Sequence, residues 1–251
     1  MKMSDTELET PRGLASQPAL RKAARENLSS IVEQELRGAI LRGRFKPGDR
    51  LRPAQLAPEL GTSVTPVREA IMKLVAERVL EARPNQFVVP ILTKNQYSEL
   101  CTIRLAVEGL AAEEATKVIT PNELSALKSA AAMHESAVKR HDYEQGLRYN
   151  QQFRFGIYQA ARMPALLAII EGLWLQTAPF FNYLYPSDEV SQETCRAYEK
   201  VLEGLKNRDG KAVSGAICQS IRIGTQYLIA GIERNVFSDD KGASVREAAA
   251  G

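Results

Sequence analysis

Residues 53–80, PAQLAPELGTSVTPVREAIMKLVAERVL, decide how the first part of this 251-residue chain folds. Leu56, Ala57 and Leu60 recur at helical spacing and mark one face of a short helix. Gly61 follows, the residue type that ends a helix in the left-handed conformation at least cost. A second helix is expected to restart at Pro66, whose missing N–H would be unpaired at the first helical position anyway, with Thr65 as its N-cap. From there Val67, Ala70, Ile71, Leu74 and Val75 form a stripe to be buried. Arg68 and Glu69 stand near the start of that helix, where side chains reach into a major groove. Helix, glycine-bearing turn and helix within about 25 residues is the helix-turn-helix arrangement of DNA readers.

The flanks extend the same pattern. Leu28, Ile31, Val32, Leu36, Ile40 and Leu41 predict an amphipathic helix of roughly four turns, followed by a turn at Lys46-Pro47-Gly48-Asp49. Between residues 37 and 52, Arg37, Arg42, Arg44, Lys46, Arg50 and Arg52 face the single acid Asp49, the charge pattern of a phosphate-contacting patch. Downstream, EARPNQFVVPI (81–91) places Pro84-Asn85 between β-prone runs and predicts a small hairpin, or wing. The expected layout is a polar flexible arm over 1–27, then a winged helix-turn-helix over 28–93 built of three helices and a β-hairpin.

Beyond residue 93 the periodicity is helical almost throughout. Leu100, Ile103, Leu105, Val107 and Leu110 populate one helix, which also carries Arg104 and Glu108 at i, i+4. Thr120-Pro121-Asn122-Glu123 reads as a capping box, Asp142 caps the next helix, Pro164 opens another, and two more run from about Asp188 and Asp209. Six helices with short connections predict an all-α antiparallel bundle over 94–235, with a flexible tail over 236–251. The fold class is therefore mainly α.

Composition bounds the function. With 44% apolar and 25% charged residues and a net charge of +3, the chain reads as globular rather than as a general polyanion binder. Cys101, Cys195 and Cys218 are odd in number and widely spaced, as in reduced proteins. The expectation is a cytoplasmic protein without signal peptide or membrane span. No G-x-S-x-G, H-E-x-x-H or P-loop is present, and the two histidines, His134 and His141, read as surface residues, so no enzyme is expected.

LRGAILRGRFKPGDRL followed by LAPELGTSVTPVREAIMKLVAERVLEARP resembles the winged helix-turn-helix of the GntR family of bacterial transcription regulators. The signature PVREA-x-x-x-L is met by Pro66, Val67, Arg68, Glu69, Ala70 and Leu74. The helical remainder is similar to the FCD ligand-binding domain of the FadR subfamily, on IRLAVEGLAA, NQQFR, Pro164 and LKNRD. The resemblance spans about residues 28 to 232. It implies a homodimeric regulator, a repressor in the usual case, that binds a palindromic double-stranded DNA operator and answers to a small metabolite. Carried over residue by residue, it assigns DNA contacts to Ser63, Thr65 and Arg68, with Arg68 bonding either guanine or a phosphate. Arg44 and Arg52 are candidate phosphate contacts, and Arg83 in the wing is a candidate minor-groove contact. Family members usually carry Arg where this chain has Val64, and an Arg-Gly pair where it has Asn85-Gln86.

Many FCD domains bind a divalent metal through one Asp and three His. The resemblance places those positions on Asn150, Arg154, Tyr198 and Ser220, so neither a metal nor any other cofactor is expected. Arg154 and Arg104 would instead hold an anionic metabolite, in first line a carboxylate, with Asn150, Tyr198 and Ser220 as neutral hydrogen-bonding groups. The alternative is an internal salt bridge of Arg104 or Arg154 with Glu108 that closes the site. A larger thioester ligand also stays open. The competing class is a helical scaffold with non-specific DNA binding and a vestigial pocket. Salt-dependent binding to a discrete palindrome separates the two. The stretch Ile91–Gln96 is the expected connector between DNA and ligand sites.

Overall fold

The computed structural model describes residues 24–84, 86–184 and 187–234. The expected arm lies almost wholly outside the described residues, as do the tail and Asn85 of the wing.

Helix α1 (Ala24–Leu41), strand β1 (Arg50–Leu51), α2 (Pro53–Glu59), α3 (Val64–Ala76), β2 (Glu81–Arg83) and β3 (Gln86–Val88) form the first unit. Its core joins Val32, Leu36 and Ile40 of α1 to Leu56 of α2, Val67, Ile71 and Leu74 of α3, and Phe87 of β3. The buried stripe of α3 is the one read from sequence. Its start is not: the helix begins at Val64, with Ser63 at the N-cap position, so Pro66 sits two residues further in than expected and Thr65 is already helical. No side chain caps this end, which leaves the first N–H groups of the helix available. Gly61 adopts φ +60 just past α2, as its residue type suggested.

The wing is a three-stranded antiparallel sheet in the order β1-β3-β2, with Leu51 opposite Phe87 and Arg83 opposite Gln86. Strand β1 escapes a sequence reading because two residues carry no periodicity. Long-range pairing makes it, continued by the Gly48 N–H donating to the Val89 carbonyl and the Val89 N–H to the Asp49 carbonyl, at 2.9 Å each.

The second unit contains α4 (Lys94–Val118), α5 (Pro121–Lys139), α6 (Tyr143–Ala160), α7 (Pro164–Thr177), a 3-10 segment (Ala178–Tyr183), α8 (Asp188–Asn207) and α9 (Gly210–Glu233). Thr93 and Thr120 close capping boxes with Gln96 and Glu123, while Asp142, Ser187 and Asp209 each accept a backbone N–H in the first turn. Each such cap stabilises its helix by about 1 kcal/mol. Helix α4 packs against α9, α7 and α6.

The apolar residues that marked α4 in the sequence do not mark its buried face. Ile103 and Leu110 are exposed (40% and 44%), whereas Tyr97, Cys101, Arg104, Glu108, Ala111 and Ala115 are buried. Pro164–Tyr183 is apolar and long enough to cross a membrane by length and composition alone. In the fold it is a core element, with Leu166, Ile170, Trp174, Phe180 and Phe181 buried.

The two units touch through α7 and the 3-10 segment. Leu175 of α7 is buried in the core of the first unit, not of the bundle. Asn182 donates to the carbonyls of Phe45 at 3.4 Å and Pro179 at 3.1 Å. Gly43 (φ +77) comes so close that a Cβ there would lie 2.7 Å from Leu147 and 3.0 Å from Asn182.

Candidate functional sites

On α3 the buried residues Pro66, Val67, Ala70, Ile71 and Leu74 occupy one arc. The opposite arc presents Val64, Thr65, Arg68, Glu69 and Met72 to solvent. Ser63 is exposed at its N-terminal edge. Arg68 forms no ion pair among the described residues. The other DNA candidates divide. Arg52 is exposed at the start of α2. Arg44 is bridged to Glu59, and Arg83 to Glu81 at 3.2 Å. Arg37 bridges both Glu33 and Glu77. Part of the basic patch is thus already neutralised by acids distant in sequence. Exposed pairs of this kind are worth at most about 1 kcal/mol and exchange readily for a phosphate.

The five effector candidates come from four helices: Arg104 (α4), Asn150 and Arg154 (α6), Tyr198 (α8) and Ser220 (α9). Four of them line one cleft. Tyr198 does not; it is buried behind the wall, stacks on Phe153 with ring centroids 3.9 Å apart, and donates to Asn150 Oδ1 at 2.5 Å. Sequence reasoning missed the rest of the wall: Phe181 and Leu184 at the 3-10 segment, Val190 and Ser191 on α8, Ile221 and Leu228 on α9. Only the α9 pair carried a signal, since Ile221 and Leu228 are seven residues apart and share one helical face, next to that of Ser220. The 3-10 segment had none.

Charge is the informative property of this cleft. Arg104 donates from Nε to Glu108 Oε1 at 2.6 Å, and both side chains are buried. Its guanidinium also lies 5.2 Å from each of the Trp174 and Phe181 rings. Glu108 further accepts from the Tyr158 hydroxyl. The internal salt bridge expected as an alternative therefore exists, but only for Arg104. Arg154, also buried, donates to Ser220 Oγ at 2.7 Å and to the Tyr158 hydroxyl at 3.5 Å. Its Nε has no partner, nor does the buried Ser191 Oγ across the cleft. Two buried guanidiniums thus share one carboxylate, and the site holds one excess positive charge. Burying an ion without a counter-charge costs several kcal/mol.

His134 is not on the surface as the sequence suggested; it is fully buried beside Tyr198, ring centroids 5.1 Å apart, with Nδ1 3.8 Å from Cys195 Sγ. Burial, and then the nearby Arg154 charge, push its pKa down to about 4, so it stays neutral near pH 7. His141 is exposed, its Nδ1 3.0 Å from the Tyr143 hydroxyl.

The four family metal positions do converge, since Asn150 meets Tyr198 and Arg154 meets Ser220. Their chemistry does not fit a divalent cation: an amide, a phenol and a hydroxyl surround a fixed guanidinium charge, without a carboxylate or imidazole.

Comparison with known proteins agrees with both halves of this architecture. Residues 28–88 match the family of bacterial regulatory proteins called gntR, and residues 99–222 match the FCD domain. The chain is 35% identical over 195 residues to the HTH-type transcriptional regulator McbR of Escherichia coli K12, covering 76% of this chain and 88% of that protein. It is 26% identical over 190 residues to the transcriptional repressor RspR of the same organism, covering 74% and 82%. The solved structure of E. coli McbR/YncC superposes with a TM-score of 0.75 at 32% identity, over 83% of this chain and 98% of that one. With a helix-turn-helix whose recognition face is open and an FCD bundle joined to it, this chain belongs to the GntR family of bacterial transcription regulators.

Proposed function

We propose that this regulator binds a two-fold symmetric operator as a homodimer, and that a small anion seated on Arg154 changes its grip. The observation that carries the ligand is the unmatched buried charge of Arg154, whose Nε faces no acceptor. Because Glu108 already neutralises Arg104, the site matches a single carboxylate better than a dianion. The apolar wall of Phe181, Leu184, Val190 and Leu228 suits an apolar remainder on that carboxylate, and Ser191 offers it one hydroxyl. Metal and catalysis have no part in this reading, and a cytoplasmic location follows from the DNA target.

On the DNA side, Ser63, Thr65 and Arg68 would face the major groove, Arg52 and Arg44 the phosphates, and Arg83 the minor groove beside it. An apolar face supports the dimer: Ile103 and Leu110 are exposed on α4, as is Ile169 (53%) on the adjacent α7. The coupling would run through the 3-10 segment as well as through Ile91–Gln96. Phe181 and Leu184 touch the cleft, while Asn182 between them holds the backbone of Phe45 in the first unit. A ligand that prefers one setting of this segment shifts the spacing of the two recognition helices. Repression is the outcome expected when such a dimer covers a promoter.

Two measurements test this. Selection of genomic fragments by the purified protein should retain a short palindrome with salt-dependent affinity, lost in Arg68→Ala. Retention of all fragments alike would favour the scaffold. Calorimetry with hexanoate, succinate and phosphate should show hexanoate binding to the wild type and not to Arg154→Met. Equal affinity in the two proteins would remove Arg154 from the site.

A further inference from the structure

The exposed arc of α3 carries one residue whose presence the fold does not require. Val64 opens the helix and is 45% exposed, outside the core that α3 shares with α1 and α2. A β-branched side chain is a poor choice for an exposed helical position, since it loses rotamer freedom there. It caps nothing. At 100° per residue, Val64, Arg68 and Met72 form one row along the open face, and Met72 is 47% exposed. An apolar side chain therefore leads Arg68 on the surface offered to DNA.

We infer that Val64 reads the C5 methyl group of a thymine in the major groove, an inference that rests on the operator-binding reading above. The chemistry leaves one partner. A valine side chain neither donates nor accepts a hydrogen bond, and a phosphate offers it nothing. Among the base edges in the major groove, the thymine methyl is the apolar feature. The N-terminal residues of a recognition helix are the ones that meet base edges. Arg68 lies four residues on, about 6 Å along the helix axis, which corresponds to roughly two base steps. The thymine should therefore lie within about two steps of the base or phosphate that Arg68 engages. Where Arg68 takes a guanine, each half-site pairs that guanine with a neighbouring thymine whose methyl matters.

The test replaces each operator thymine in turn by uracil, which keeps every hydrogen-bonding group and lacks only the methyl. The full-length wild type should lose about fourfold in affinity per half-site at one thymine position, the effect of exposing one methyl-sized apolar group. In Val64→Ala that loss should shrink to nearly nothing, while affinity for the thymine operator falls to the uracil level. Val64→Arg should shift preference at that base pair from thymine towards guanine, whose O6 and N7 accept from a guanidinium. Tolerance of uracil at every position, or a uracil effect that persists unchanged in Val64→Ala, overturns the inference while leaving the operator intact. Failure to retain any discrete site, visible before uracil is introduced, overturns the operator reading and this one with it.

Discussion

Replacing Arg154 by methionine should make the ligand-free protein more stable, and the structure sets the size of the gain. Arg154 is 5% exposed, and no carboxylate pairs with it among the described residues. An unpaired buried ion costs several kcal/mol, even after relaxation. Against that stand two hydrogen bonds. The bond to Ser220 at 2.7 Å returns about 1.5–3 kcal/mol, the range for a charged donor. The contact with Tyr158 at 3.5 Å is at the limit of hydrogen bonding and returns little. Methionine fills similar space without charge. The balance favours Arg154→Met by about 1–3 kcal/mol, or roughly 3–10 °C in a domain of this size. Trp174, the one tryptophan of the chain, is buried in the bundle and reports its unfolding by fluorescence. Urea and thermal unfolding of dialysed protein at low chloride would measure the difference. Hexanoate should then raise the midpoint of the wild type and leave that of Arg154→Met unmoved. A loss of 2 kcal/mol or more in Arg154→Met would refute the reasoning, because Arg154 would then be a structural tie.

The neighbouring charge should behave in the opposite sense. Glu108→Gln strands the buried Arg104 without its partner and should cost about 3–5 kcal/mol in the same unfolding assay. Leu175→Ala empties a site in the core of the first unit from the bundle side, with an expected loss of about 2–5 kcal/mol. Hydrogen exchange should place the loosening in α1 and α3, and exchange unchanged there would count against this contact. His134 titrates at about 4 in the folded protein, against 6.5 when free. The unfolded chain therefore binds more protons between those values, and stability falls as pH drops through that window. From pH 7 to pH 5 the loss attributable to this residue is about 2 kcal/mol. Urea titrations at both pH values should show a smaller loss in His134→Gln, and equal losses would remove the histidine as its source.

What the sequence determined by itself is whatever acts within a turn or two of chain. The buried stripe of α3, the glycine after α2, the capping boxes at Thr93 and Thr120 and the helix starts at Asp142 and Asp209 are local. Propensity, periodicity and side-chain-to-backbone bonds decide them. The convergence of Asn150, Arg154, Tyr198 and Ser220 was legible only through family resemblance. No spacing announces that Arg154 and Ser220, 66 residues apart, share a hydrogen bond. Tertiary structure alone decided the rest. It made β1 a strand by pairing it with β3, and moved the start of α3 to Val64. On α4 it buried Arg104 and Glu108 as an ion pair while leaving Ile103 and Leu110 outside. It enclosed His134, and it drove Leu175 of α7 into the other unit. Each of these outcomes depends on which distant groups exclude water from a side chain. That is a property of packed neighbours and not of the residue or its local period. The same holds for the charge of the cleft. Two arginines and a glutamate can be counted in the sequence, but their packing decides that Arg104 takes the carboxylate and Arg154 is left without one.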